Sequence, residues 1–351
     1  MASETGSEPD RLEDAPHPRE QLALFGHEAA ERAFLDAVES RRLHHAWLIG
    51  GPEGVGKATL AYRMARFLLA QPPGGPARTL DVAQDHPVQR LIAAQSHPNL
   101  AVLRRAAATD KKAASTTIPV DAVRKAMGLF ASTAADGGYR VCIVDSADDL
   151  IAASANALLK MVEEPPPRSI FLIVAHAPQR LLPTIRSRCR RIALRALGAE
   201  DVRRAVSSLG PPWTQAPSEA LEDAIALGEG SVRRTLEMLD DDKTRVVRNV
   251  SAALRALPQV DAKAVLSLSE TLARKDGEEA YALALDTVLR WAGDELRQKA
   301  ALGAARLAPL AEACEKVARA AQEADEYNLD RRPLVISMFD DLARAVLRMQ
   351  A

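Results

Sequence analysis

The chain has 351 residues, more than one ordinary domain gathers around a single core, so two or three domains are expected. Its 46 Lys and Arg against 47 Asp and Glu leave a formal net charge of −1, which excludes the basic excess that lets a protein hold nucleic acid by charge alone. Aromatic residues are only 4%, so the cores must be built from Ala, Leu, Val and Ile, while Cys142, Cys189 and Cys314 are too scattered for a disulfide framework or a zinc module and fit a reducing cytoplasm.

Residues 1–19 are acidic and dotted with proline, lack the apolar run of a signal peptide, and read as a disordered tail. A helical pattern through Phe34 to Val38 leads to a short apolar strand, Ala46-Trp47-Leu48-Ile49. After a glycine-rich loop, Ala58 to Leu69 reads as a helix with Leu60, Met64, Phe67 and Leu68 on one face. The Pro/Gly cluster Gln71 to Pro76 breaks the chain. Asn99 to Leu103 is a second strand, Ala106 to Thr117 a polar, mobile loop, and Ile118-Pro119-Val120-Asp121 opens a helix. Strands then run from Arg140 to Val144 and from Ser169 to Ala175, separated by a helix carrying Leu158, Leu159 and Val162 that stops at Pro165-Pro166-Pro167. Strands alternating with helices predict a parallel sheet.

Beyond Leu197 only helices are predicted. Tyr281, Leu285, Val288, Ala292 and Leu296 repeat at helical spacing, as do Met338, Leu342, Val346 and Met349, and both stripes read as core. No apolar run approaches the roughly 18 residues of a membrane span. The resulting boundaries are a tail at 1–19, an α/β domain at 20–197 and a helical remainder from 198 to the end.

Gly51-Pro52-Glu53-Gly54-Val55-Gly56-Lys57 has the form of a phosphate-binding loop between a strand and a helix. Glycines turn backbone N–H groups toward phosphate oxygens and Lys57 adds charge. The hydroxyl that should follow the lysine as a magnesium ligand is replaced by Ala58; Thr59 lies one residue late, about 100° further around the helix. The strand Val141 to Val144 ends in Asp145, placed to hold the metal, but the next residue is Ser146, a far weaker base than the glutamate expected there. Asp148 and Asp149 stand nearby, in positions that suit capping of the next helix. In Leu182-Pro183-Thr184-Ile185-Arg186-Ser187-Arg188-Cys189 an arginine can project from a subunit edge, although on charge alone a solvated basic strip with Arg186, Arg190 and Arg191 is the favoured reading. Gly230-Ser231 opens a helix that either directs Arg233 at a nucleotide or leaves it on the surface. The histidines form no metal set.

Together with Phe25-Gly26-His27-Glu28, His45 to Pro52 and Asn156 to Pro166, these strings resemble the AAA+ clamp-loader subunits of bacterial DNA polymerase III, most of all the delta prime branch, over residues 20–240. The resemblance implies an AAA+ P-loop domain at 20–197, a small helical lid at 198–243 and an all-α collar for oligomerisation at 244–351. It implies a stator that is not an enzyme by itself, working in the cytoplasm at the nucleoid with the motor subunits gamma/tau and with delta. Together these load a sliding β-clamp onto primed DNA. Carried over, Arg188 reaches the ATP of the neighbouring subunit. Gly51, Gly54, Gly56, Lys57, Thr59, Asp145 and Arg233 form the chain's own site, for ATP or ADP held without hydrolysis. His176 falls near the first nucleotide sensor's place. The four-cysteine zinc insert of motor subunits is missing, so no zinc is expected, nor any membrane contact. The competing expectation is a motor-type ATPase in which Thr59 and Asp148 replace the lost groups.

Overall fold

The computed structural model describes residues 11–12, 15–70, 79–106, 115–131, 138–274, 277–327 and 329–350. The Pro/Gly break at Gln71 to Pro76, most of the polar loop at Ala106 to Thr117, and residues 1–10 of the tail lie outside them. The chain forms two compact units, Met1–Leu236 and Glu237–Ala351.

The first unit opens with α1 (Glu28–Glu39), β1 (Ala46–Gly50) and α2 (Lys57–Ala70), then α3 (Pro87–Ala93), β2 (Leu100–Leu103), α4 (Val120–Ala131) and β3 (Arg140–Val144). It continues with α5 (Ala152–Glu163), β4 (Ser169–Ala175), α6 (Pro183–Ser187) and β5 (Arg190–Ala193), and ends in α7 (Ala199–Ser207), α8 (Ser218–Gly228) and α9 (Val232–Glu237). The five strands form one sheet in the order β2-β3-β4-β1-β5, with every pairing parallel. The α/β fold with flanking helices is as expected.

β1, β3 and β4 are buried along their whole length, which is why they read as unbroken apolar runs. Alternate side chains serve opposite faces. Trp47, Ile49, Ile143, Leu172 and Val174 pack with α1, α2 and α3. Leu48, Cys142, Val144, Phe171 and Ile173 pack with α4, α5 and α6. β5 has no such run, because at the sheet edge only Ile192 of its four residues is buried. This strand and the short α3, capped by the His86 ring accepting from the Val88 N–H, are absent from the predicted element order.

The start of the chain corrects one expectation. Ala15, His17 and Arg19, assigned by composition to a disordered tail, are buried. The cause lies in α2, which is buried on nearly all sides, Arg63 and Arg66 included. Buried guanidinium groups must find acceptors, and here these are main-chain carbonyls of the N-terminal segment. Arg63 donates to the Leu22 carbonyl, and Arg66 donates to those of Gln21 and Arg19. Arg63 also pairs with Glu31 at 2.6 Å and Asp81 at 2.8 Å.

The second unit is all-helical: α10 (Asp241–Arg255), α11 (Ala262–Leu272), α12 (Glu278–Gln298), α13 (Ala304–Tyr327) and α14 (Arg331–Gln350). Asp240 and Asp261 cap α10 and α11 through backbone N–H groups. Tyr281, Val288 and Ala292 join Met338, Leu342 and Met349 in one core, so both predicted stripes pack inward. The boundary read at 243/244 falls inside α10. Among the described residues no helix is long and apolar enough to cross a membrane.

Candidate nucleotide-binding site

β1 ends against the phosphate loop, and α2 begins at Lys57. Two glycines are required there by close approach. At Gly51 (φ +149°) a Cβ would lie 2.5 Å from the Leu194 carbonyl oxygen, so this residue seats the loop on the chain following β5. At Gly54 (φ +74°) a Cβ would lie 2.2 Å from Ser231 Oγ and 2.8 Å from Arg233 Cβ. The Gly54 carbonyl accepts from the Val232 N–H at 2.9 Å, which joins the loop to the start of α9. Ser231 Oγ caps that helix by accepting from the Arg234 N–H. Gly54→Ala combines a left-handed backbone with a clash against Ser231 Oγ and Arg233 Cβ at the start of α9. It is expected to cost about 2–3 kcal/mol, measured as a lower thermal midpoint of the full chain.

Of the predicted site residues, Gly54, Gly56, Lys57, Thr59, Asp145 and Arg233 line one cavity of about 220 Å³, with Ala58 and His176. Gly51 and Arg188 do not line it. The sequence reading missed the rest of the wall. Leu12, Ala15 to Pro18, and Ala23 to Phe25 contribute, as do Leu197 and Leu209. The available signals were the two arginines within the otherwise apolar α2, and His27, whose Nε2 lies 2.7 Å from the Val55 carbonyl oxygen of the loop.

Lys57 is buried at 4% exposure. Its ammonium donates to the Pro52 carbonyl at 2.5 Å and lies 3.0 Å from His176 Nδ1, which as its acceptor must be the unprotonated ring nitrogen. Burial pushes this amine from 10.5 down to about 8, against the opposing pull of Glu53, Asp145 and Asp148. The unfolded chain therefore holds more protons than the folded one between about pH 8 and 10.5. This residue costs stability below pH 8, and the cost is relieved as pH rises through that window. Lys57→Met is expected to stabilise the ligand-free chain at pH 7 by on the order of 2 kcal/mol. It should also flatten the rise toward pH 10, as measured by urea midpoints of the two proteins across pH 7–10.

Asp148 does not cap α5, which begins after Ile151 without a side-chain cap. Its carboxylate instead closes the end of β4. Oδ2 accepts from the His176 N–H (2.6 Å) and the Ser146 hydroxyl (2.6 Å), and Oδ1 from the Ala177 N–H (2.9 Å). Partial burial opposes ionisation, but these three donors hold the carboxyl below its usual range. Asp149 pairs with Arg105 at 3.1 Å. Arg233 pairs with Glu53 of the loop at 3.5 Å. Among the described residues no group of three His, Cys, Asp or Glu is placed to hold a metal ion.

Arg188 follows α6 directly, with its side chain 41% exposed. It donates to the Thr184 carbonyl at 3.1 Å and pairs with Glu163 at 2.9 Å.

The family model described as "DNA polymerase III, delta subunit" matches residues 26–198. DNA polymerase III subunit delta′ of Yersinia pestis is 33% identical over 272 residues, 75% of each chain. The chain belongs to the DNA polymerase III delta′ family. The delta′ subunit of Pseudomonas aeruginosa is 36% identical over 202 residues, 57% of this chain and 58% of that protein. The match to the delta′ subunit of Escherichia coli likewise spans less than two thirds of that relative, 61%. Outside delta′, the tau subunit of E. coli is 29% identical over 281 residues, 78% of this chain and 41% of its own. Among solved structures, a DNA polymerase III gamma subunit-related protein of Thermotoga maritima covers 91% of this chain and 99% of its own, at 16% identity and a TM-score of 0.42.

Proposed function

We propose that this chain is the stator of a DNA polymerase III clamp loader. In this reading it does not hydrolyse ATP and donates Arg188 to the nucleotide of a neighbouring gamma/tau motor subunit. The observation that carries this is the commitment of Asp148. A carboxylate that already accepts from three donors, and is held below its usual range, is a poor general base. Ser146, at the expected base position, spends its hydroxyl on that same carboxylate. With Ala58 in the metal-ligand position as well, both halves of the hydrolytic apparatus are weakened. Thr59 lines the cavity, but without a base it supports binding rather than turnover.

Arg188 has the opposite character. Its pair with Glu163 is exposed, and such pairs contribute roughly 0–1 kcal/mol, so a neighbour's phosphate exchanges for it at little cost. Gly54, Gly56, Lys57, Thr59, Asp145 and Arg233 would hold ATP or ADP without hydrolysis. Delta, the sliding β-clamp and primed DNA are partners through the complex, whose setting would be the cytoplasm at the nucleoid. The test is Arg188→Ala in a reconstituted loader, with ATP turnover and clamp loading as readouts. Turnover by the isolated chain that is abolished by Lys57→Met would instead establish the motor-type ATPase.

A further inference from the structure

The cations that the proposed nucleotide site offers to phosphate are engaged within the chain itself. Lys57 Nζ has the Pro52 carbonyl and His176 Nδ1 as acceptors, while Glu53 lies across from Arg233. The imidazole is delivered by a fixed backbone. His176 directly follows β4, and its N–H is bound by Asp148, which the Ser146 hydroxyl holds in turn. The cavity of about 220 Å³ is smaller than the roughly 300 Å³ at the low end of small-molecule pockets. A phosphate-loop lysine reaches the β- and γ-phosphates of its nucleotide. Here a ring nitrogen occupies hydrogen-bonding distance of that ammonium.

We propose that His176 and Glu53 act as internal stand-ins for phosphate, so that a nucleoside diphosphate or triphosphate binds by exchanging with them on Lys57 and Arg233. The inference rests on reading the loop as a nucleotide site. It adds a regulator of that site: the degenerate position at the end of β4 sets how readily the loop accepts phosphate. The ordering follows from burial. Lys57, nearly excluded from water, keeps only the Pro52 carbonyl as acceptor when His176 is removed, and the ligand-free state rises in free energy. A phosphate oxygen then reaches the ammonium without displacing the imidazole. Glu53 works through charge, since its carboxylate faces the same phosphates that Arg233 would attract.

The experiment is fluorescence titration of the full chain with a fluorescent ADP, repeated with a non-hydrolysable ATP analogue. His176→Ala is expected to tighten binding about 5- to 10-fold, and His176→Ala with Glu53→Gln further still. His176→Asn, whose amide oxygen can accept from Lys57, should stay near wild type. Lys57→Met should abolish binding in every background. Unchanged or weaker binding by His176→Ala overturns the exchange, because the imidazole would then be inert or a phosphate ligand. So does the absence of binding by all variants. Binding that survives Lys57→Met places the nucleotide elsewhere, and then it is the site reading that fails. Circular dichroism melts of each variant separate loss of affinity from loss of fold, with His176→Asn as the folded reference if His176→Ala melts early.

Discussion

Arg188→Ala should lower the DNA-stimulated ATP turnover of a reconstituted loader at least ten-fold, with clamp loading falling in parallel, while the variant chain keeps its thermal midpoint. Arginines donated to a neighbour's phosphoryl group are worth about 10³–10⁵ in rate at the site they serve. The whole-complex effect is smaller because only one motor site borders this subunit in the proposed arrangement. Stability should hold because the substitution removes only an exposed pair with Glu163 and a hydrogen bond to one carbonyl of a short helix. Arg188→Lys is expected to recover little. A lysine presents a point charge on a flexible stem rather than a planar fork, and at a bidentate phosphate contact the two are not equivalent. Unchanged turnover in the presence of primed DNA would refute the role given to Arg188. A fall in turnover accompanied by loss of complex assembly would make the residue an interface contact instead.

The second large effect belongs to stability. Arg63→Met should destabilise the chain by about 3 kcal/mol, since breaking a buried ion pair from one side leaves the other charge without compensation. In this case Glu31, largely shielded, loses its 2.6 Å partner, and the Leu22 carbonyl loses a donor. Asp81 is mostly exposed, so its share is small. Urea denaturation gives the magnitude, and limited proteolysis gives the place: cleavage should accelerate within residues 15–25 before the sheet is attacked. Replacing both partners (Arg63→Met with Glu31→Leu) should restore much of the loss, because matched apolar groups carry no orphaned charge. A double variant no better than the single one would show that the carbonyl hydrogen bond dominates.

The parts legible in the sequence are those whose signal is local. β1, β3 and β4 are apolar runs because both faces are covered, and the loop before α2 is recognisable from its glycines and lysine alone. The parts that were not legible depend on three-dimensional neighbours. β5 carries one buried residue among exposed arginines, so its pattern is that of a basic strip. Asp148 looks like a helix cap from its position, yet it serves the end of a strand 28 residues away. The part of the wall formed by Ala15 to Pro18 could not be read from composition, because residues 1–19 are acidic and proline-bearing, and such segments usually lack the apolar area to order themselves. Here the order is supplied from outside, by arginines of α2.

The arginines of β5 also govern how the sheet ends. A terminal strand displays main-chain groups that another chain's strand can pair with, and short, charged edges discourage such pairing. β5 is four residues long and exposes both Arg190 and Arg191, with the Arg190 guanidinium 4.7 Å above the Trp47 ring. The strip that read as solvated charge thereby lies along the edge of the sheet, where such charge discourages strands of other molecules from adding to it. Charge at Arg190 and Arg191 is accounted for by the edge it guards, whereas Arg188, which precedes the strand, has no part in that protection.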